Sequence, residues 1–257
     1  MLGFVIAIGL FCLVIEKAWP GWALPRVKTW PLRVLAINFV QLGVVIVAGF
    51  TWERWLAHGS LLHLSAHVSP WVGGALAYVI ATFIFYWWHR WRHENQWLWL
   101  AFHQIHHSPQ RIEVITSFYK HPGEMIVNSL LGSVLVYALL GLSPAAGAVY
   151  TACTALGEFF YHTNVRTPRW VGYFFQRPEM HRLHHQHGRH RNNYGDIVWW
   201  DMLFGTYDNP PEFTARCGFD DAREQRLFDM LCYRDVHAES SLATARSEPP
   251  GRSSDGS

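Results

Sequence analysis

Long apolar runs alternate along the chain with polar segments that carry histidine. The apolar runs occupy about residues 2–15, 34–50, 71–88, 125–142 and 144–161, and a helix needs roughly 17–25 residues to cross the hydrocarbon of a bilayer. Four to five spans are therefore expected, some near the lower limit of length. Between the last two runs, Gly141-Leu142-Ser143-Pro144 reads as a turn, so those runs are expected as an antiparallel helical hairpin with both outer ends on one side. The first run has no basic residue before it and no small-residue cleavage site after it, which predicts a retained segment rather than a removable signal.

Basic residues give the spans a direction. Lys17, Arg26, Lys28 and Arg33 follow the first run, Arg90 and Arg92 the third, and Arg166, Arg169, Arg177 and Arg182 the fifth, whereas the loop at 51–70 has only Arg54, beside Glu53. The positive-inside rule then places 16–33, 89–124 and 162–257 in the cytoplasm and the N-terminus outside. The predicted fold is all-α: a helical bundle integral to the plasma (inner) membrane, with a histidine-rich helical cap on its cytoplasmic face. A single domain is expected over 1–237 with its core at 89–207. From Ala238 onward Ser, Gly, Pro, Arg and Glu dominate, which predicts a disordered tail over 238–257.

Composition agrees with a lipid environment, since half of the 257 residues are hydrophobic and only 16% are charged. A net charge of +2 without a dense Lys/Arg block argues against a nucleic-acid partner. Cys12, Cys153, Cys217 and Cys232 lie far apart, so neither a zinc knuckle nor a thioredoxin-like pair is expected, and they read as packing residues. Trp87, Trp88, Trp91, Trp97 and Trp99 cluster where an interfacial belt would sit, and a plain packing role would look the same.

Twelve of the sixteen histidines, those from His89 to His190, fall at or beyond the predicted cytoplasmic ends of spans. His89 and His93 share a face of a continuing helix by their i, i+4 spacing. His103, His106 and His107 share a face by i, i+3 and i+4, and His181, His184 and His185 repeat that pattern; His162 stands alone at the end of the fifth run. A lone helical histidine is more often a hydrogen-bonded structural residue than a ligand. Nine imidazoles at one bilayer face would each add desolvation cost and mutual repulsion when protonated, and metal coordination removes both. Nine exceed the ligand set of one zinc, so two metal ions are expected to share them. Imidazole suits iron, zinc, copper and nickel alike, so ligand type does not name the metal. Heme needs one or two axial histidines and would leave most of the nine unused.

Other polar groups have weaker claims. His121 reads as a ligand, a hydrogen-bonding partner of one, or the cap of the following helix. His187 and His190 follow a ligand triple and either swing in or face water. Asn164, Asn193, Asp196 and Asp201 are candidates to accept the second ring N–H of ligand imidazoles. Glu158, four residues before His162, is expected to contact a metal, a ligand imidazole or a nearby Arg, because a carboxylate in an apolar helix end is costly.

The set His89-x-x-x-His93, His103-x-x-His106-His107, His162-Thr163-Asn164 and His181-x-x-His184-His185 is followed by Asn193-Tyr194-Gly195 and Trp200-Asp201-x-x-Phe204-Gly205-Thr206-Tyr207. It resembles the membrane-bound fatty acid hydroxylase and sterol desaturase superfamily, and His121-Pro122-x-Glu124 looks like its sterol-directed branch. The resemblance implies a non-heme di-iron oxygenase with two iron ions and O2 as co-substrate. It would hydroxylate or desaturate an unactivated C–H bond of a sterol-like or fatty acyl lipid, with electrons from a separate ferredoxin- or cytochrome-type donor. Some members carry a further His four residues before the position matching His162, where this chain has Glu158. From the residues alone, two other readings stay open: a dinuclear zinc membrane hydrolase, and a non-catalytic metal-binding or transport protein.

Overall fold

A computed structural model describes residues 2–238, so the tail expected to be disordered lies outside the described residues apart from Ala238. The described residues are helical and form no strand; pairing is limited to isolated bridges, Phe175 with Ile197 and Gln186 with Cys217. The principal helices are α1 (Leu2–Ala18), α2 (Trp30–Phe50), α3 (Pro70–Glu94), α4 (Gln104–His107), α5 (Pro122–Ser133), α6 (Pro144–His162), α7 (Pro178–His184) and α8 (Trp199–Leu203). Proline opens α3, α5 and α6, where a missing N–H costs nothing. The residue before each proline caps its helix. Ser69 accepts from Val72 N at 3.4 Å, His121 Nδ1 from Gly123 N at 2.9 Å, and Ser143 from Ala146 N at 3.3 Å.

Among the described residues, three helices are long and apolar enough to cross a membrane: Trp30–Leu56, Pro70–Glu94 and Pro122–Leu139. Large apolar side chains such as Phe39, Val45, Ile46 and Val47 on α2 point outward, as a lipid-facing surface requires and an aqueous one does not. Helix α1, at 17 residues, ends in Glu16-Lys17, and α6 is built largely of small residues. The Glu16 carboxylate is buried and accepts from Val114 N at 3.0 Å and Asn164 N at 3.1 Å, tying the end of α1 to two loops.

The hairpin at 141–144 forms as the turn residues require. Gly141 adopts φ +63°, a conformation that favours glycine, and Leu142 N donates back to Val136 O at 2.9 Å across the wider π-type turns of Val134–Leu139. Helix α6 then returns along α3. At Gly74 an added Cβ would stand 2.5 Å from the Val149 side chain, so the two backbones approach closely only because glycine is there. Ala77, Ala81, Leu135, Val136, Leu140 and Ala146 fill that end of the bundle. At the other end, Trp30, Ile105, Tyr119, Met125, Phe219 and Met230 form the apolar floor of the polar cap.

The last described segment is clamped to the base of α2 by a buried ion pair. Arg33 donates from Nη2 to Glu224 Oε1 at 2.8 Å and from Nη1 to Glu224 O at 2.7 Å, with both side chains buried. Removing one partner leaves the other charge uncompensated. Arg33→Met is therefore expected to cost about 3–5 kcal/mol of stability, read as a lowered thermal midpoint in detergent, with much of the loss recovered in Arg33→Met/Glu224→Gln.

Candidate metal centre

The C-terminal turn of α3 carries His89 and His93 to the cap. The chain then reverses through Asn95 and a π-type turn at Trp99–His103 into α4, which brings His106 and His107 beneath them. His162 arrives as the last residue of α6, and α7 supplies His181, His184 and His185, the last at its C-terminus. The nine imidazoles fall into two groups whose ligating atoms lie within 4.8 Å of one another: His89, His93, His103, His107 and His184 in one, and His106, His162, His181 and His185 in the other.

The sharing of helices between groups follows from the spacing. Each i, i+4 pair (His89/His93, His103/His107, His181/His185) serves one group, while His106 and His184, the i+3 members of the triples, cross to the other. Two helices thus hold both groups at once and fix their separation. The rings of His107 and His185, one from each group, stack with centroids 4.1 Å apart.

Four of the nine imidazoles set a second ring nitrogen against a backbone carbonyl. His89 Nδ1 lies 2.9 Å from Tyr194 O, His184 Nδ1 2.7 Å from Asn192 O, and His162 Nδ1 2.8 Å from Glu158 O. Such bonds place the proton on Nδ1 and leave Nε2 free to ligate. His106 Nδ1 makes a longer contact, 3.3 Å to Tyr119 O. His103 Nδ1 instead lies 2.9 Å from Arg92 Nη1 and 3.3 Å from Glu124 Oε2, Arg92 and Glu124 forming a buried ion pair with each other, while the Nδ1 atoms of His93, His181 and His185 are buried without a partner.

Whether these residues suit a metal is answered by their unsatisfied atoms. The Nε2 atoms of His89, His93, His103, His107, His184 and His185 are buried without a hydrogen-bond partner, a condition that costs about 1–3 kcal/mol for each polar atom unless something fills it. A cation bound between the rings satisfies them together. Burial first, then the repulsion a protonated ring would meet from the rings around it (at His103, from Arg92), pushes His103, His106, His107, His181 and His185 well below the ordinary histidine value, and burial pushes His184 down to about 3. They stand in the neutral form that binds metal.

The weaker candidates lie around these groups. Glu158 Oε1 is taken by Lys120 Nζ at 2.6 Å, and its Oε2 stands 3.7 Å from His162 Nδ1. His121 caps α5. His187 Nδ1 pairs with Gly218 O at 2.8 Å, and His190 Nδ1 lies 3.2 Å from His107 Nδ1. Asn164 accepts from Trp22 N and Arg182 Nη2, and Asp196 pairs with the hydroxyls of Tyr78 and Tyr161. Asn193 holds Met180 O and both backbone polar groups of Asp208. Asp201 accepts from Tyr194 N at 2.8 Å, Gly195 N at 2.9 Å and Thr206 Oγ1 at 2.7 Å. None of these four contacts a ligand imidazole in the expected way; Asn193 and Asp201 instead fix the loop whose carbonyls do. Arg92 and the carbonyls of Tyr194, Asn192 and Tyr119 were not singled out by the sequence, and for Glu124 the one signal is the His121-Pro122-x-Glu124 motif.

The profile of the fatty acid hydroxylase family matches residues 74–206, a segment that includes all nine of these histidines. The chain is 38% identical over 209 residues to an ornithine lipid hydroxylase of Rhizobium tropici, covering 73% of this chain and 62% of the relative. It is 29% identical to the sphingolipid C4-hydroxylase of Schizosaccharomyces pombe, over 54% of this chain and 50% of the relative. With the alkylglycerol monooxygenase of Homo sapiens it shares 30% identity, over 54% of this chain and 31% of that protein. The chain thus spans less than two thirds of the length of each. No solved structure gives a significant match.

Two outcomes follow from this geometry. Asp201→Ala removes no imidazole, yet it is expected to weaken metal binding about 10–100-fold by loosening the Tyr194 and Asn192 carbonyls, measured by competition with a chromogenic chelator. In metal-free protein, the imidazoles outside the spans stay neutral when folded and take up protons when unfolded. Stability should hold above the ordinary histidine value of about 6.5 and fall below it, by up to about 1.4 kcal/mol per pH unit for each buried imidazole. Thermal unfolding of chelator-treated protein across that range checks the sign, and bound metal should raise stability throughout without removing the slope, since ligated rings likewise carry no proton until the chain unfolds.

Proposed function

The chain belongs to the fatty acid hydroxylase family, and from that premise we propose that it is a membrane-bound di-iron oxygenase that hydroxylates or desaturates a C–H bond of a lipid. The observation that carries this reading is the pair of adjacent histidine groups, five and four strong, in which the Nε2 atoms of His89, His93, His103, His107, His184 and His185 are buried without a partner and those of His162 and His181 face each other at 3.0 Å. Two irons would be held by His89, His93, His103, His107 and His184 on one side and by His106, His162, His181 and His185 on the other. When bound, iron supplies with O2 and external electrons the oxidising power that no acid, base or nucleophile among the side chains possesses.

The chain's own task is to position and to exclude. Tyr194 O, Asn192 O and Glu158 O set ring orientation and tautomer at His89, His184 and His162. The crossing of His106 and His184 between groups sets the distance between the two sites. Burial of the cap histidines keeps bulk water from the reacting carbon, which limits side reactions. The relatives named above are described by lipid substrates, and three helices here can cross a membrane. A lipid entering laterally and presenting one carbon to sites at the span ends fits both facts, whether it is sterol-like or fatty acyl.

We assign the histidine face to the cytoplasmic side of the plasma (inner) membrane, because the loops around it hold the excess of Arg and Lys. The same charges would attract an acidic ferredoxin- or cytochrome-type electron donor. A single bundle over 1–237 with four to five spans follows if α1 and α6 cross as well.

Elemental analysis with Mössbauer spectroscopy of detergent-purified protein tests the proposal. About two irons per chain with a coupled signal are expected, and both should be lost in His106→Ala and in His184→Ala, since each residue bridges the packing of the two groups. Incubation with membrane lipids, O2 and an electron donor should then give a product with one added oxygen or two fewer hydrogens. Stoichiometric zinc from iron-replete cells, with no oxygen uptake, would instead favour a hydrolase.

A further inference from the structure

The contacts of α8 place part of the cap at a depth that charge counting along the sequence does not anticipate. Trp200 Nε1 donates to Thr82 Oγ1 at 3.0 Å, its ring lies 5.0 Å from Phe83, and Phe204 packs on Tyr86 and Trp87 at 5.4 and 4.8 Å. Thr82 is near the middle of α3. It stands roughly 18 Å along the axis from Pro70 and roughly 10 Å short of His89, at 1.5 Å per residue, while the hydrocarbon layer is about 30 Å thick. A helix crossing that layer with His89 at its boundary holds Thr82 well inside it, so whatever touches Thr82 is inside it too.

The surface of this segment suits lipid. Trp199, Met202 and Leu203 share one face of α8 and are 55%, 41% and 68% exposed, and Phe174 and Phe175, on the neighbouring loop joined through the Phe175–Ile197 bridge, are each 49% exposed. No Lys or Arg occurs in 170–176 or 194–207. The polar groups that hydrocarbon would penalise are paired internally: Val198 N donates to Phe174 O, Gln176 N to Asp196 O, Met202 N to Val198 O and Phe204 N to Trp200 O. Trp199 Nε1 reaches Tyr173 O at 3.3 Å, and the Asp201 carboxylate is buried with three donors. Irregular backbone survives at membrane depth only when its polar groups are satisfied in this way.

From the Trp200–Thr82 contact and this uncharged, internally satisfied surface we propose that residues 170–176 and 197–204 form a wedge that enters the hydrocarbon of the leaflet on the histidine side and presents Trp199, Met202, Leu203, Phe174 and Phe175 to acyl chains. The inference rests on α3 crossing the membrane. Its consequence is that one wall beside the histidine groups faces lipid from within the bilayer.

Depth-dependent quenching tests it. In the Cys232→Ser background, Leu203→Cys, Phe39→Cys on the outer face of α2 and Arg191→Cys on the exposed loop after α7 are labelled with an environment-sensitive fluorophore and reconstituted in phosphatidylcholine vesicles, with unlabelled-site background subtracted from the parent. The proposal expects Leu203→Cys to match Phe39→Cys: strong quenching by acyl-brominated lipid, and iodide quenching several-fold weaker than at Arg191→Cys. Iodide quenching of Leu203→Cys equal to that of Arg191→Cys, with Phe39→Cys still protected, would overturn the wedge alone. Iodide access at both Leu203→Cys and Phe39→Cys would overturn the membrane reading of these helices together with it.

Discussion

Buried nitrogen without a partner is the constraint around which the cap is built. Burying one imidazole is tolerable when both ring nitrogens are satisfied, and here six Nε2 atoms are not. A chain that folded to this arrangement with nothing between the rings would forfeit several hydrogen bonds in a low-dielectric site. The cap therefore reads as a structure whose last stabilising interactions come from what it binds. Around it stand a π-type turn that carries His103, a positive-φ pair at Asn192 and Asn193 that aims a carbonyl at His184, and a floor of large apolar residues beneath the rings.

Much of this was legible in the residue order. Helical periodicity identified His89/His93, His103/His107 and His181/His185, because i, i+4 geometry is local and needs no knowledge of the fold. The hairpin after Gly141 was legible for the same reason. The partition of the nine into five and four was not, since His106 and His184 choose their group by how α4 and α7 cross, which is a tertiary fact. Nor could the sequence show that ring orientation comes from backbone carbonyls: every residue has a carbonyl, so Tyr194 and Asn192 leave no mark. Side-chain candidates such as Asp201 were conspicuous and turn out to act one step further away, by gripping the loop that carries those carbonyls.

Glu158 shows how local context decides between roles of one residue type. Position alone places it on the face of His162, and a ligand role was open. Lys120 takes one oxygen at 2.6 Å, while His162 turns its Nδ1 to the Glu158 carbonyl oxygen rather than to its carboxylate. An ion pair there neutralises both groups, and the backbone of Glu158 still orients the imidazole. The four-residue group around His106 consequently contains imidazoles alone.

That choice bears on charge at a membrane boundary. A carboxylate behind each imidazole would raise ligand basicity, but in a low-dielectric site each would add a charge to be balanced. Carbonyl partners provide orientation without charge. The carboxylate nearest a candidate ligand ring, Glu124 at His103, is already paired with Arg92, which itself reaches the same ring, and Glu158, farther from His162, is paired with Lys120. The metal-free cap is thus electrically close to neutral at its centre, with neutral rings and internally paired ions. Cations bound there would therefore be held by imidazoles alone, with no carboxylate among the nine to offset their charge.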